Sequence, residues 1–378
     1  MNPSTSSFKL ALTIIFISTV FSLWAAETVL SWYSHAINKS SQMDTGLLRY
    51  HPRLGWALNE NWQGKHRHHD FNASYHINAL GFRGSLPVAL HQKTKPRVAI
   101  FGDSFTFGIG VNNADTYVEQ LQKTHSQQQW LNLGIPGTST DQQWLYWQMI
   151  DQQLRADHVM FAVYLGNDLL DNPLAFPLQA EQGKPFFKLH NQQLTLQNSP
   201  VPRHAKTASD RQLSIVSIAF GDALEQRSWV SKAVSNSAIL QRLVPRQSPL
   251  PSEQLNAIME ARLVAQKRLQ HALIKQIAQQ AKKNQQRFTL LLLPGQSLVA
   301  HPQSVSAIYQ EHVRRFMLAV AEQNNIAVID ASSALKQQFA QRSALLFHPN
   351  EGHFTAEGHR VVAETIAAAV AATDDSKQ

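Results

Sequence analysis

Four short blocks hold the polar side chains best placed for shared chemistry. They are Gly102-Asp103-Ser104, Gly134-Ile135-Pro136-Gly137, Gly166-Asn167-Asp168 and Asn350-Glu351-Gly352-His353. The first three each follow an apolar run, and the fourth precedes the last helical stretch. Val98 to Phe101 is nearly continuous apolar sequence, which suits a strand buried on both faces. A serine on a tight turn at the carboxyl end of such a strand stands where open α/β sheets present reactive groups. Read alone, the same residues also fit an ordinary strand-to-turn junction with a capping serine. Asp103 reads as a turn or cap residue.

The elements that must position these blocks alternate between strand and helix. Strands are expected at Val98–Phe101, Trp130–Leu133, His158–Leu165, Phe288–Leu293 and Ile326–Ile329. Helices are expected at Ala114–Thr124, Asp141–Leu154, Ser252–Lys283, Val305–Asn324 and Thr355–Ala372, the last with Thr355 as N-cap. This alternation predicts a parallel sheet with right-handed crossovers, covered on both faces. Residues 171–250, rich in Pro, Gln and Ser, break the rhythm and read as an insertion over the carboxyl edge of the sheet. Residues 34–96 read as a polar stalk followed by a small β-rich lead-in that packs on the main domain at 97–372. Residues 373–378 read as a disordered tail.

The chain has 378 residues, 43% of them hydrophobic and 16% charged, with formal net charge +8. Its basic residues form only short clusters without interleaved aromatics, so nucleic acid is not an expected partner. A mildly basic face favours an anionic glycan or an anionic membrane surface. The absence of cysteine excludes disulfides, thiolate catalysis and anchoring through an N-terminal lipidated cysteine. Leu10 to Ala26 is apolar apart from Thr13, Ser18, Thr19 and Ser22, and Val29 to Tyr33 extend it toward an aromatic belt. Bulky Leu23 and Trp24 make Ser22–Ala26 a poor cleavage site. Residues 1–33 are therefore expected to be an uncleaved membrane anchor rather than a removed signal.

In order and strand context, the four blocks resemble the SGNH/GDSL hydrolase superfamily over roughly residues 97–170 and 288–370. More narrowly, Asn78–Gly84 ahead of Gly102–Gly108 resembles the membrane-tethered bacterial SGNH proteins of the cell envelope. The resemblance implies a flavodoxin-like three-layer α/β/α fold with about five parallel strands. It implies Ser104 as nucleophile and His353 as the base that activates it. It implies the backbone N–H groups of Ser104 and Gly137 and the side-chain amide of Asn167 as oxyanion donors. Such donors are worth about 3 kcal/mol each in the transition state. One position departs from the family pattern: where aspartate commonly stands three residues before the histidine, this chain has Asn350. Glu351 is expected to orient His353 instead, and the alternative is a Ser–His dyad backed by a carbonyl.

The expected reaction is ester hydrolysis or acyl transfer on O-acyl, chiefly acetyl, groups of a cell-envelope or extracellular carbohydrate, with no metal or other cofactor. Its rivals are a lipid-directed esterase or thioesterase, and a non-catalytic glycan-binding scaffold with a decayed site. His348 and His359 compete with His353 as base but read as structural. Ser297, after the fourth strand, lacks the surrounding blocks. The cluster His66, His68, His69 and Asp70 has metal-like residue types, yet a solvated strand edge is the expected reading.

Overall fold

The computed structural model describes residues 5–38, 41–84, 93–204, 206–211, 213–224, 237, 248–341 and 345–375. The apolar N-terminal stretch forms helix α1 (Thr5–Asn38). Its segment Lys9–Tyr33 has a mean hydropathy of 1.8 and is not buried against the rest of the chain. Twenty-five residues of helix measure about 38 Å, more than the ~30 Å hydrocarbon core of a bilayer.

Five short strands follow: β1 (Gln42–Met43), β2 (Leu48–His51), β3 (Gly55–Leu58), β4 (Gln63–Arg67) and β5 (Asn72–His76). β1, β4 and β5 form one antiparallel sheet, and β2 and β3 a separate hairpin. Period-two alternation turns Ala73, Tyr75 and Ile77 inward. They meet Trp56 and Leu58, and all pack on Phe107, Ile109 and Ile135. Those last three belong to the loops that carry two of the four polar blocks. The lead-in therefore builds its core directly on the site.

The main sheet contains β6 (Arg97–Gly102), β7 (Gln129–Gly134) and β8 (His158–Tyr164). A surface hairpin of β9 (Phe186–His190) and β10 (Gln193–Gln197) intervenes before β11 (Arg287–Leu293) and β12 (Ala327–Asp330). The five parallel strands lie in the order β12-β11-β8-β6-β7. Counted along the chain this is 2-1-3-4-5, the flavodoxin-like arrangement. On one face Ala99, Phe101, Phe161 and Leu292 meet the helices Thr140–Leu154, Val264–Lys283 and Val305–Gln323. On the other, Ile100, Met160, Ala162 and Leu293 meet Tyr117–Thr124, Ser332–Ala340 and Ala356–Asp375. Burial on both faces explains the near-continuous apolar strands. Each buried side chain contributes about 1.5–3 kcal/mol.

Several elements differ from the sequence expectation. The single helix expected over 252–283 is two, Ser252–Arg262 and Val264–Lys283. They meet at Leu263, a buried residue with ψ near 15° that ends one helix and starts the next. The hairpin β9–β10 was not anticipated. Its turn residues Asn191 and Gln192 both have positive φ, as tight hairpin turns require. The last helix starts after Thr355, whose hydroxyl accepts from the Gly358 N–H at 3.2 Å, and it continues through Asp375. Much of the expected insertion (225–236 and 238–247) and the terminal residues 376–378 lie outside the described residues.

Candidate active site

The strand order sets three of the four polar blocks side by side. β6 is flanked by β7 and β8, so the loops after these strands leave the same sheet edge at the topological switch point. Ser104 opens a four-residue helical turn directly after β6. Asp103 caps that turn by accepting from the Phe105 N–H at 2.9 Å. Gly108, in the left-handed region, closes it. Gly134–Gly137 follows β7, and Asn167 follows β8. The fourth block comes from the loop before the last helix.

That loop delivers His353 to Ser104 across a sequence separation of 249 residues. The Ser104 hydroxyl donates to His353 Nε2 at 2.7 Å. His353 Nδ1–H donates to Glu351 Oε1 at 2.7 Å, and the His353 backbone N–H donates to Glu351 Oε2 at 3.1 Å. One carboxylate thus grips both the ring and the backbone of the residue two positions on. The reversal this needs falls on Gly352, at φ +91°. A side chain there has open space but meets a backbone conformation costing about 1–2 kcal/mol. Beneath the imidazole lies Phe105, 4.5 Å between ring centroids, itself stacked on Tyr164 at 4.1 Å. Asn350 turns away and donates through Nδ2 to Asp70 at 2.6 Å. The expected partnership of His353 is therefore made with Glu351 and not with Asn350.

Electrostatics support this relay. Burial works to raise the Glu351 carboxyl, but the hydrogen bond and charge of His353 outweigh it and hold the group down at about 2. Glu351 is then an acceptor at every ordinary pH. Burial pushes Asp103 up to about 6 against the pull of its Phe105 bond. Asp168 is raised well above the usual carboxylate range by burial and then by the charge of Asp103.

Asn167 and Gly137 carry the remaining expected donors. The Asn167 Nδ2 group donates to Asp171 Oδ2, and Asp171 Oδ1 accepts from the Leu178 N–H at 2.8 Å. A carboxylate only accepts, so Asp171 fixes which end of the Asn167 amide is the donor and engages one of its two N–H groups. Gly137 has φ +78°, and a β-carbon there would lie 3.5 Å from Trp56. The Trp56 indole N–H donates to the Pro136 carbonyl at 2.9 Å, which pins this turn.

Four positioning residues were not recognised in the sequence: Trp56, Asp70, Arg83 and Asp171. The side chain of Asp70, 3% exposed, accepts from the Asn350 N–H at 2.7 Å and the Glu351 N–H at 3.1 Å, besides the Asn350 amide. Arg83 is buried and donates to the carbonyls of Phe107, Gly108 and Val111 and to Asn113 Oδ1, at 2.7–3.1 Å. Its guanidinium also lies over the rings of Tyr75 and Phe107. The Tyr75 hydroxyl accepts from the Gly110 N–H at 2.9 Å. Every loop bearing a polar block on this edge, except the one after β8, is thus held by the lead-in.

The other candidates take structural places. His66 is buried and bonded to Tyr75 and Ser41, and Asp70 serves the Glu351 loop, so the expected solvated edge is not what the cluster forms. His359 is fully buried, and its Nδ1 accepts from the Tyr117 N–H at 3.2 Å. Burial pushes its pKa down to about 3. His348 is buried against Phe71. Ser297 lies inside the short helix Gln296–Ala300. A groove of about 1030 Å³ lies elsewhere and is lined by none of the relay residues.

Comparison with known proteins adds a family. The sequence profile of the GDSL-like lipase/acylhydrolase family matches residues 100–361. No curated protein matches the chain. Among solved structures, LAE5, an alpha/beta hydrolase from the metagenome of Lake Arreo in Spain, is 14% identical. The match covers 74% of this chain and 97% of that one, with a TM-score of 0.41. A member of the lipolytic G-D-S-L family from Veillonella parvula is also 14% identical, covering 72% and 96% with a TM-score of 0.35. The acetylxylan esterase Axe2 from Geobacillus stearothermophilus is 11% identical, covering 74% and 96% with a TM-score of 0.36.

Proposed function

Because the chain belongs to the GDSL-like lipase/acylhydrolase family, a family of ester hydrolases, we propose that it is a serine esterase or acyltransferase acting on O-acyl, chiefly acetyl, groups of a carbohydrate outside the cytoplasm. The observation that carries this reading is the unbroken relay from Ser104 through His353 to Glu351, with both side-chain links at 2.7 Å. In the proposed mechanism Ser104 Oγ attacks the ester carbonyl while His353 Nε2 takes its proton. Glu351 stabilises the imidazolium so formed. The Ser104 and Gly137 N–H groups and the second Asn167 N–H receive the developing oxyanion. Collapse expels the alcohol, which takes the proton back from His353 and leaves an acyl-serine. Water or a sugar hydroxyl, deprotonated by His353, then attacks the acyl carbon and restores the serine.

The substrate class draws support from elsewhere in the chain. An apolar helix at the amino end suits a tethered enzyme of the cell envelope. An intact relay also weighs against the scaffold with a decayed site.

The test treats the full-length protein with a fluorophosphonate probe and maps the adduct by peptide mass spectrometry. The adduct should fall on Ser104, and Ser104→Ala should lower p-nitrophenyl acetate hydrolysis at least about 10³-fold. Wild-type hydrolysis no faster than that of the alanine variant would sink the proposal.

A further inference from the structure

We propose that the groove between the β9–β10 hairpin and the helix Val264–Lys283 binds an acidic polysaccharide chain. The groove measures about 1030 Å³, at the upper end of the ~300–1,000 Å³ typical of ligand sites. Lys188 on the hairpin and Arg268 and Lys275 on the helix project into it and are exposed. Among the described residues no carboxylate lines it. Among the described residues none of the three cations is in an ion pair, whereas Lys93, Lys184, Lys267, Arg314 and Arg360 all are. Lys188 lies over the Phe186 ring, 6.0 Å from its centroid, and three cations without an ion pair among the described residues, converging on one concavity, mark a site for repeated negative charge.

Its other lining residues narrow the partner. Asn191, Gln192, Gln276 and Gln279 supply amides that both donate and accept, the complement of a hydroxyl-rich chain. Leu189, Leu194 and Ala272 provide apolar surface of the kind that the C–H faces of a sugar ring cover. A uronic-acid polymer presents all three features at once: a carboxylate on each ring, hydroxyls, and apolar ring faces. A concave groove walled on two sides matches a single chain better than it matches the plane of a lipid headgroup layer. The inference does not rest on the esterase reading, because none of these residues belongs to the Ser104 relay.

The test uses the full-length protein in a non-ionic detergent without a sugar headgroup. Fluorescence anisotropy follows a labelled galacturonic-acid oligomer at low salt. Wild type should bind, affinity should fall as salt is added, and a neutral glucose oligomer of equal length should not bind. Combined Lys188→Gln, Arg268→Gln and Lys275→Gln should weaken binding at least about tenfold, while melting temperature and p-nitrophenyl acetate hydrolysis stay at the parent level. If the triple variant melts lower, each single substitution should weaken binding about twofold and carries the test. Equal affinity of parent and variants overturns the proposal. So does equal competition by polyglutamate of the same charge, which would mean charge without sugar recognition. Binding to phosphatidylglycerol vesicles through the same three residues, without binding of the oligomer, overturns it in favour of a lipid surface.

Discussion

Glu351 does two jobs within one residue's reach, and that makes its substitution diagnostic. Glu351→Gln keeps the size but replaces an acceptor by an amide facing the His353 ring N–H, which removes the charge that steadies the imidazolium. The rate of p-nitrophenyl acetate hydrolysis should fall about 10³-fold or more. Asn350→Ala leaves Asp70 two of its three bonds to the loop and should cost less than about tenfold. Equal, small losses would point to a Ser–His dyad. Asp103 makes a prediction of opposite kind, about stability. Its pKa in the fold, about 6, lies above its ordinary value of 3.8. The folded state therefore holds this proton more tightly than the unfolded chain does. The resulting stabilisation is present below about pH 4 and is lost as pH rises through about 6. Asp103→Asn has no such proton to lose. Calorimetric melting at pH 4 and pH 7 should thus show the variant gaining on the parent as pH rises, whatever the offset between them. A constant offset would mean that Asp103 does not titrate in this window.

At the scale of elements, the lead-in holds the loops that the sheet alone leaves free. Asp70 sits in the turn between β4 and β5 and bonds a loop 280 residues away. Asp70→Asn removes the carboxylate charge and sets a donor against either the Asn350 side-chain amide or the two backbone N–H groups, so the Glu351 loop should shift. The expected outcome is a loss in kcat of about tenfold with KM for a small ester within about twofold, since misplacement of a relay group acts on the chemical step. The His353 Nδ1–H proton resonance should move or broaden in the same variant. Unchanged kcat with an unmoved resonance would reduce Asp70 to a fold-stabilising role. These long-range ties also show why the sequence was readable in some places and not in others. Strands β6 and β11 were legible because burial on both faces leaves continuous apolar runs in Val98–Phe101 and Leu290–Leu293. Ser104, Asn167 and His353 were legible because each follows or precedes such an element at short range. Asp70 and Arg83 were not, because their function lies in partners that no local pattern reveals. The break at Leu263 was hidden for a related reason: apolar periodicity persists across it, and only the backbone dihedrals of that buried residue mark it.

Across the whole molecule, a short join links the lead-in that holds the site's loops to an apolar helix. α1 ends at Asn38 and β1 begins at Gln42, so an anchored helix would hold the lead-in sheet within a few residues of a membrane surface. The stretch Lys9–Tyr33 is long enough to span, and Trp32 and Tyr33 suit an interfacial belt at its carboxyl end. A spanning helix is retained by hydrophobic burial, which salt does not weaken, whereas a surface attached through its net charge of +8 would release as ions screen it. Cells expressing the full chain should therefore keep the protein in the membrane pellet through washes in 1 M salt and in alkaline carbonate, at full length by mass spectrometry. In spheroplasts, added protease should degrade residues 41–375 while a cytoplasmic marker survives, as expected if the catalytic domain faces outward. Release by salt alone would make the attachment electrostatic. A soluble chain shortened by about 25–35 residues would make the helix a cleaved signal and leave the site free of the membrane.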